Sequence, residues 1–113
     1  MKIKNSIAIF LVFLSQVVSA QESKVNVSGK IIDKTSNEAL SYVNVLLKKA
    51  SDSSFVTGAI SDEAGLFTLV DISPGDYELE ASFLGFETLR QEIFVGSSSA
   101  FLNLGDISMT SSY

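Results

Sequence analysis

Residues 77–83 read Tyr-Glu-Leu-Glu-Ala-Ser-Phe, and this alternation decides the fold class. Tyr77, Leu79, Ala81 and Phe83 fall on one side of an extended chain, with Glu78, Glu80 and Ser82 on the other. Successive side chains of a β-strand point to opposite faces, so the stretch is a strand with one apolar and one solvated surface. Burying each large apolar side chain contributes roughly 1.5–3 kcal/mol. A slip of one residue would drive the two carboxylates into the core, so register is set here. Such a face needs a second apolar layer to lie against.

The same short period recurs on both sides of this strand. Ahead of it, Ser73-Pro74-Gly75-Asp76 predicts a sharp turn of type II, with proline presetting φ and Gly75 taking the left-handed position. Before that turn lies a strand from Leu66 to Val70, entered through Asp62-Glu63-Ala64-Gly65. Asp62 at the head of that link is placed to accept backbone N–H groups, and Gly65 supplies the positive φ that closes it. Phe55 to Ser61 forms another strand, where Gly58 predicts a bulge or a close backbone approach. Tyr42 to Leu47 carries Val43 and Val45 on one face, while Leu46 and Leu47 blur the alternation and suggest a central strand covered on both sides. Val25, Val27, Gly29 and Ile31 alternate with Asn26, Ser28 and Lys30 in the first strand.

Beyond Phe83, Gly85-Phe86 turns the chain into Thr88–Val95, whose Leu89, Ile93 and Val95 share a face. Gly96-Ser97-Ser98-Ser99 is a flexible loop, and Phe101 to Met109 is the closing strand. No window of helical length carries a 3.6-residue period. Seven short strands separated by turn residues predict an all-β fold, a seven-stranded antiparallel Greek-key β-sandwich. Strands of five or six residues favour the sandwich over a closed barrel. The outer strands of the two sheets are its natural docking edges, because their backbone groups lack a partner.

Residues 1–20 read as an export leader. Lys2 and Lys4 give a positive start, Ile7 to Leu14 an apolar core, and Val18-Ser19-Ala20 a small-residue cleavage site before Gln21. The apolar core is too short for a hydrocarbon layer of about 30 Å. The expected organisation is a leader over 1–20, a short extension over 21–24, the sandwich over 25–109 and a tail over 110–113. Of the 113 residues, 93 follow the leader. A domain of that size buries roughly 60–65% of its unfolded surface, so its stability rests on efficient packing.

Composition excludes several kinds of chemistry. The chain has no cysteine and no histidine, which removes disulfides, thiolate metal sites and the commonest general base near neutral pH. Loss of Lys2 and Lys4 with the leader takes the formal charge from −5 to −7. Only Lys48 and Lys49 are adjacent cations, so nucleic acid is excluded as a partner. No cofactor, metal site or catalytic residue is expected.

Several residues nonetheless invite a sharper reading. Asp62, Glu63 and Asp71 lack the alternating oxygen ligands of a calcium loop, and Asp62 is better explained as a turn cap. Glu78 and Glu80 share a strand face as a glycosidase pair might, but that is where solvated charges belong. Ser19 and Ser61 have no activating base. Tyr42, Phe55, Tyr77, Phe83, Phe86 and Phe101 include candidates for sugar stacking. Most are expected in the core, with Phe86, beside Gly85 in a loop, the best candidate for an exposed ring. Asp62, Gly65, Pro74, Gly75 and Gly85 are read as structural turn residues.

The order of these features resembles a known family. Val27-Ser28-Gly29-Lys30-Ile31-Ile32-Asp33 comes first, then Ala39-Leu40 ahead of Val43-Asn44-Val45, and Thr57-Gly58. Ser61-Asp62-Glu63-Ala64-Gly65-Leu66-Phe67, Pro74-Gly75-Asp76-Tyr77, Leu84-Gly85-Phe86 and Leu104-Gly105-Asp106-Ile107 follow. Together they resemble the carboxypeptidase regulatory-like domain, a transthyretin-like (prealbumin-like) sandwich, over almost all of the chain after the leader. The resemblance implies a non-catalytic periplasmic or outer-membrane-associated module. Such modules sit at the N-terminus of TonB-dependent receptors and other outer-membrane β-barrel proteins. Its implied partners are other cell-envelope proteins, such a β-barrel among them, and the alternative is a starch-binding-like domain with a glycan ligand. No run of membrane strands of about ten residues each follows Tyr113. The expectation is therefore a truncated receptor relative or a free-standing domain, and transport activity is not carried over.

Overall fold

Residues 23–113 are described in the computed structural model, and they form seven strands. The leader expected over residues 1–20, Ser19 included, lies outside the described residues, as do Gln21 and Glu22. The strands are β1 (Val25–Asp33), β2 (Asn44–Lys49), β3 (Phe55–Ile60), β4 (Leu66–Ile72), β5 (Gly75–Ser82), β6 (Leu89–Val95) and β7 (Phe101–Met109). They make a three-stranded sheet ordered β4-β1-β7 and a four-stranded sheet ordered β3-β2-β5-β6. The sandwich that the alternation demanded is the fold observed.

One pair within it runs parallel. β7 lies beside β1 in the same direction, with Asn26 opposite Phe101 and Asp33 opposite Met109. The cause is connectivity, because the loop after β6 returns to the end of the sandwich where β1 begins. That end also carries the 50–54 loop and the Ser73-Pro74 link. The opposite end carries residues 34–43, 61–65 and 83–88 and the tail.

The core is built from the alternating faces. Val25, Val27 and Ile31 of β1 meet Val45, Leu47, Leu79 and Ala81 from the facing sheet, all fully buried. Gly29 is also an inward position, and its missing side chain is required. A Cβ there would lie 2.9 Å from the Phe67 ring and 3.3 Å from Ile107. Phe67 takes the space that Gly29 leaves.

Two strands change inward parity midway. In β4 the buried residues are Phe67, Leu69 and then Ile72, and in β7 they pass from half-buried Leu102 and Leu104 to buried Ile107 and Met109. Each shift is a bulge, an extra residue that rotates the following side chains by one position. Asp71 adopts φ 57° at the first, and Asn26 Oδ1 accepts its N–H at 3.1 Å. Gly105 adopts φ 74° at the second, and its N–H donates to Asn103 Oδ1 at 2.9 Å.

Two local expectations are corrected, and one is met in one of its two forms. Gly75 does not occupy a type II turn: it opens β5 opposite Val95 with φ 155°, near the extended limit and far from the value near +80° that such a turn needs. Of the bulge or close backbone approach expected at Gly58, the approach is observed, since a Cβ there would lie 3.2 Å from the Val45 carbonyl, while the bulge of β3 falls at Val56, where Leu47 pairs with Thr57 and Lys48 with Phe55. Leu46 does not show a strand covered on both sides. β2 is central, but Leu46 is an outward side chain, half-buried because it folds over Gly58 across the ladder, where a Cβ would meet it at 3.2 Å.

Candidate functional site

Polar chemistry on this domain concentrates on the outer face of the four-stranded sheet. Its outward positions on β2, β5 and β6 include Lys48, Glu78, Glu80, Arg90, Glu92 and Phe94, placed there by the same alternation that buries Leu47, Leu79 and Ile93. Glu80 is the hub. Its Oε1 accepts from Lys48 Nζ at 3.3 Å and pairs with Arg90 Nε at 3.1 Å, and its side chain is only 13% exposed. Arg90 lies directly opposite Glu80, whereas Lys48 sits opposite Glu78 and reaches diagonally. Glu78 in turn faces Glu92 across β5 and β6, two like charges directly opposed, an unfavourable pairing in a sheet. Among the described residues, Glu92 has no ion-pair partner.

Beside this face lies an open strand edge. Four strands end a sheet: β3, β4, β6 and β7. Bulges interrupt β3, β4 and β7, a common defence against unwanted pairing. β6 has none, and pairs with β5 over seven consecutive residues without a shift. The Asp76 carbonyl accepts from Ala50 N, so the even residues of β5 face β2 and the odd ones face β6. The odd residues of β6 complete that ladder, which leaves the N–H and C=O of Arg90, Glu92 and Phe94 aimed at the open side. The four-stranded sheet is one strand wider than its partner, and inward-facing Gln91 consequently stays exposed.

Two of the turns singled out from the sequence, Asp62–Gly65 and Gly85–Phe86, lie at the end of the sandwich where β4 and β6 begin. Asp62 Oδ1 accepts from the backbone N–H groups of Ala64 and Leu66, both at 2.9 Å, and Gly65 takes φ 78°. Any side chain at Gly65 would strike the Ile31 carbonyl at 2.6 Å. Gly85, at φ 89°, accepts from Ser112 N through its carbonyl, and the bridge between Phe86 and Ser111 straps the tail to this loop. Phe86 is not the exposed ring of the loop. It is half-buried against the core and tilts onto Phe83 with centroids 5.8 Å apart, while Leu84 stands 94% exposed. Pro74 lies in the short link at the other end of the molecule.

The remaining candidates are dispersed or engaged. Asp71 lies at the far end of β4 from Asp62 and Glu63, and no cluster of three metal-ligating side chains occurs among the described residues. Ser61 is buried, and its hydroxyl donates to the Leu40 carbonyl at 2.8 Å while accepting from Val43 N at 2.9 Å. It ties the β1–β2 connection to the end of β3. Of the six aromatics considered for stacking, Tyr77 is buried and Tyr42, Phe55 and Phe101 are exposed. Phe94 is exposed as well, and sequence reasoning passed over it. Phe55 and Phe94 sit on opposite edges of one sheet, separated across it by three strand spacings or about 14 Å, and among the described residues no two exposed rings stack on each other. Among the described residues no helix is long and apolar enough to cross a membrane.

These features define an all-β sandwich domain whose polar groups serve turns, cross-strand ion pairs and one open edge. The chain belongs to the CarboxypepD_reg-like domain family, whose model matches residues 27–109. No curated protein matches it in sequence. Among solved structures it is similar to the group B streptococcus pilus 2b backbone protein, with TM-score 0.62 and 17% identity, covering 78% of this chain and 41% of that one. It is also similar to the shaft pilin of Lactobacillus rhamnosus GG, with TM-score 0.62 and 14% identity, covering 82% of this chain and 49% of that one. The Bacillus anthracis TIE protein gives TM-score 0.65 and 11% identity, covering 78% of this chain and 17% of that one. The chain spans less than half the length of each of these structures, and at such identities the likeness is one of fold.

Proposed function

We propose that the chain is a non-catalytic interaction module of the cell envelope, exported by its leader and working beside an outer-membrane β-barrel such as a TonB-dependent receptor. The observation that carries the reading is the open edge of β6 next to a structured ionic face. A regular edge strand offers main-chain hydrogen bonds to an incoming strand, and the side chains beside it supply selectivity. The absence of histidine and cysteine, the occupied Ser61 hydroxyl and the ion-paired Glu80 all favour binding over catalysis. Family membership and the pilus subunits sharing the fold fit a structural or assembly role outside the cytoplasm.

A photo-crosslinking amino acid at Phe94 tests the proposal in cells of the source organism. The expected result is a chain that fractionates with the envelope and gives a discrete adduct containing a second envelope polypeptide. Retention in the cytoplasm, or an envelope-located chain that crosslinks to no protein, sinks it.

A further inference from the structure

We infer that the open edge of β6 pairs with the β6 edge of a second copy, antiparallel about a two-fold axis, through reciprocal Arg90–Glu92 contacts. The inference rests on the reading of the chain as an interaction module and names the partner of that edge.

Geometry limits the possible registers. Arg90, Glu92 and Phe94 direct their backbone groups outward, so in an antiparallel pair each must lie opposite another even-numbered residue. Placing Arg90 opposite Arg90 of the copy, or Glu92 opposite Glu92, sets like charges together, which costs stability. The register between these places Arg90 opposite Glu92 of the second copy and, by symmetry, Glu92 opposite its Arg90. Gln91 then meets its own counterpart on the axis, where two side-chain amides can hydrogen-bond to each other. Leu89 falls opposite Ile93 on the inner face. Every contact in this register is complementary, as an isologous two-fold interface requires.

The monomer has the complementary deficits. Glu92 faces Glu78 and has no ion-pair partner among the described residues, while Arg90 remains 61% exposed although its Nε is engaged by Glu80. The second copy would bring its Arg90 guanidinium to Glu92 and relieve the opposed carboxylates. Exposed, inward-facing Gln91 would gain cover. The product is a continuous eight-stranded sheet, with β4, β7 and the bulged β3 edge untouched.

Analytical ultracentrifugation of the purified chain tests this directly. The wild-type chain is expected to show concentration-dependent dimers. Arg90→Glu and Glu92→Arg should each weaken dimerisation by more than about tenfold, because like charges placed together at an interface are strongly unfavourable. An equimolar mixture of the two variants should dimerise, and so should the double variant Arg90→Glu/Glu92→Arg, since both restore opposite-charge pairs. Glu92→Pro removes an outward N–H without touching the β5 ladder and should abolish dimers while leaving the circular dichroism spectrum unchanged. A chain monomeric at all concentrations, or dimers indifferent to these substitutions, overturns the inference. Monomers that still crosslink to a different envelope protein would overturn it while leaving the broader function standing.

Discussion

Ser61 bears more than its place at the end of a strand suggests. Its hydroxyl is the only described partner of the Val43 N–H, deep in the sandwich, and also holds the Leu40 carbonyl. Replacing it with alanine leaves a buried donor unpaired, which costs about 1–3 kcal/mol. Ser61→Ala should therefore lower the unfolding midpoint in urea without changing the slope, and an unchanged midpoint would contradict the assigned bonds. The residue was visible in the sequence only as a serine without a base, because nothing local reveals a contact that spans 21 positions. Asp52 is the contrasting case of a purely local contact. Hydrogen bonds from the Ser54 side chain and backbone hold its carboxyl below the ordinary carboxylate range. A depressed folded pKa contributes stability that is present above the unfolded value and lost as pH falls through the folded one. Full exposure keeps that contribution small. NMR titration should place the Asp52 carboxyl below a model aspartate, and Ser54→Ala should move it upward.

β5 and β7 mark the two limits of what alternation reveals. β5 is legible because its charges and apolar residues alternate without interruption, and its register follows from that. β7 appears simply as a closing strand until its parity is followed: Leu102 and Leu104 occupy even positions, Ile107 and Met109 odd ones, and Gly105 stands at the change. The signal was present, but a bulge is recognised only when both sides of the break are known to face one core. The β6 edge was less legible still. Whether a strand ends a sheet depends on non-local pairing, so Arg90, Glu92 and Phe94 gained meaning only from the strand order. Gly105 offers a direct test of the parity argument. A Cβ at Gly105 meets nothing within 4 Å, so only its backbone conformation restricts substitution. Gly105→Asn should be nearly neutral, since asparagine tolerates φ near +60°, while Gly105→Val should cost about 1–3 kcal/mol. Inserting one residue beside Gly105 should be far worse, turning Ile107 and Met109 outward and forfeiting roughly 3–6 kcal/mol of burial. Equal stability for the insertion and the asparagine variant would remove the bulge from the account.

The parallel pairing of β1 and β7 governs how the whole domain carries load. Because the two terminal strands run the same way, the chain enters at one end of the sandwich and leaves at the other, separated by the nine-residue length of β1, about 30 Å. Tension applied through these ends slides β1 past β7, so the hydrogen bonds of the ladder are strained together instead of opening one after another. Antiparallel closure would have placed both attachment points at the same end and allowed the ladder to unzip. An interaction module placed under tension gains from the first arrangement. The difference can be measured on one molecule, because the chain has no cysteine and introduced thiols become its only handles. Pulling between Ser23→Cys and Ser112→Cys loads β1 and β7 in shear, after the short tail peels from the 85–87 loop. Pulling between Ser23→Cys and Ser99→Cys grips both strands at the same end. Forced unfolding reports the barrier to leaving the native state, so the first geometry should require clearly higher force at equal loading rate. Equal forces in the two geometries would mean that the β1–β7 ladder is not the element that resists.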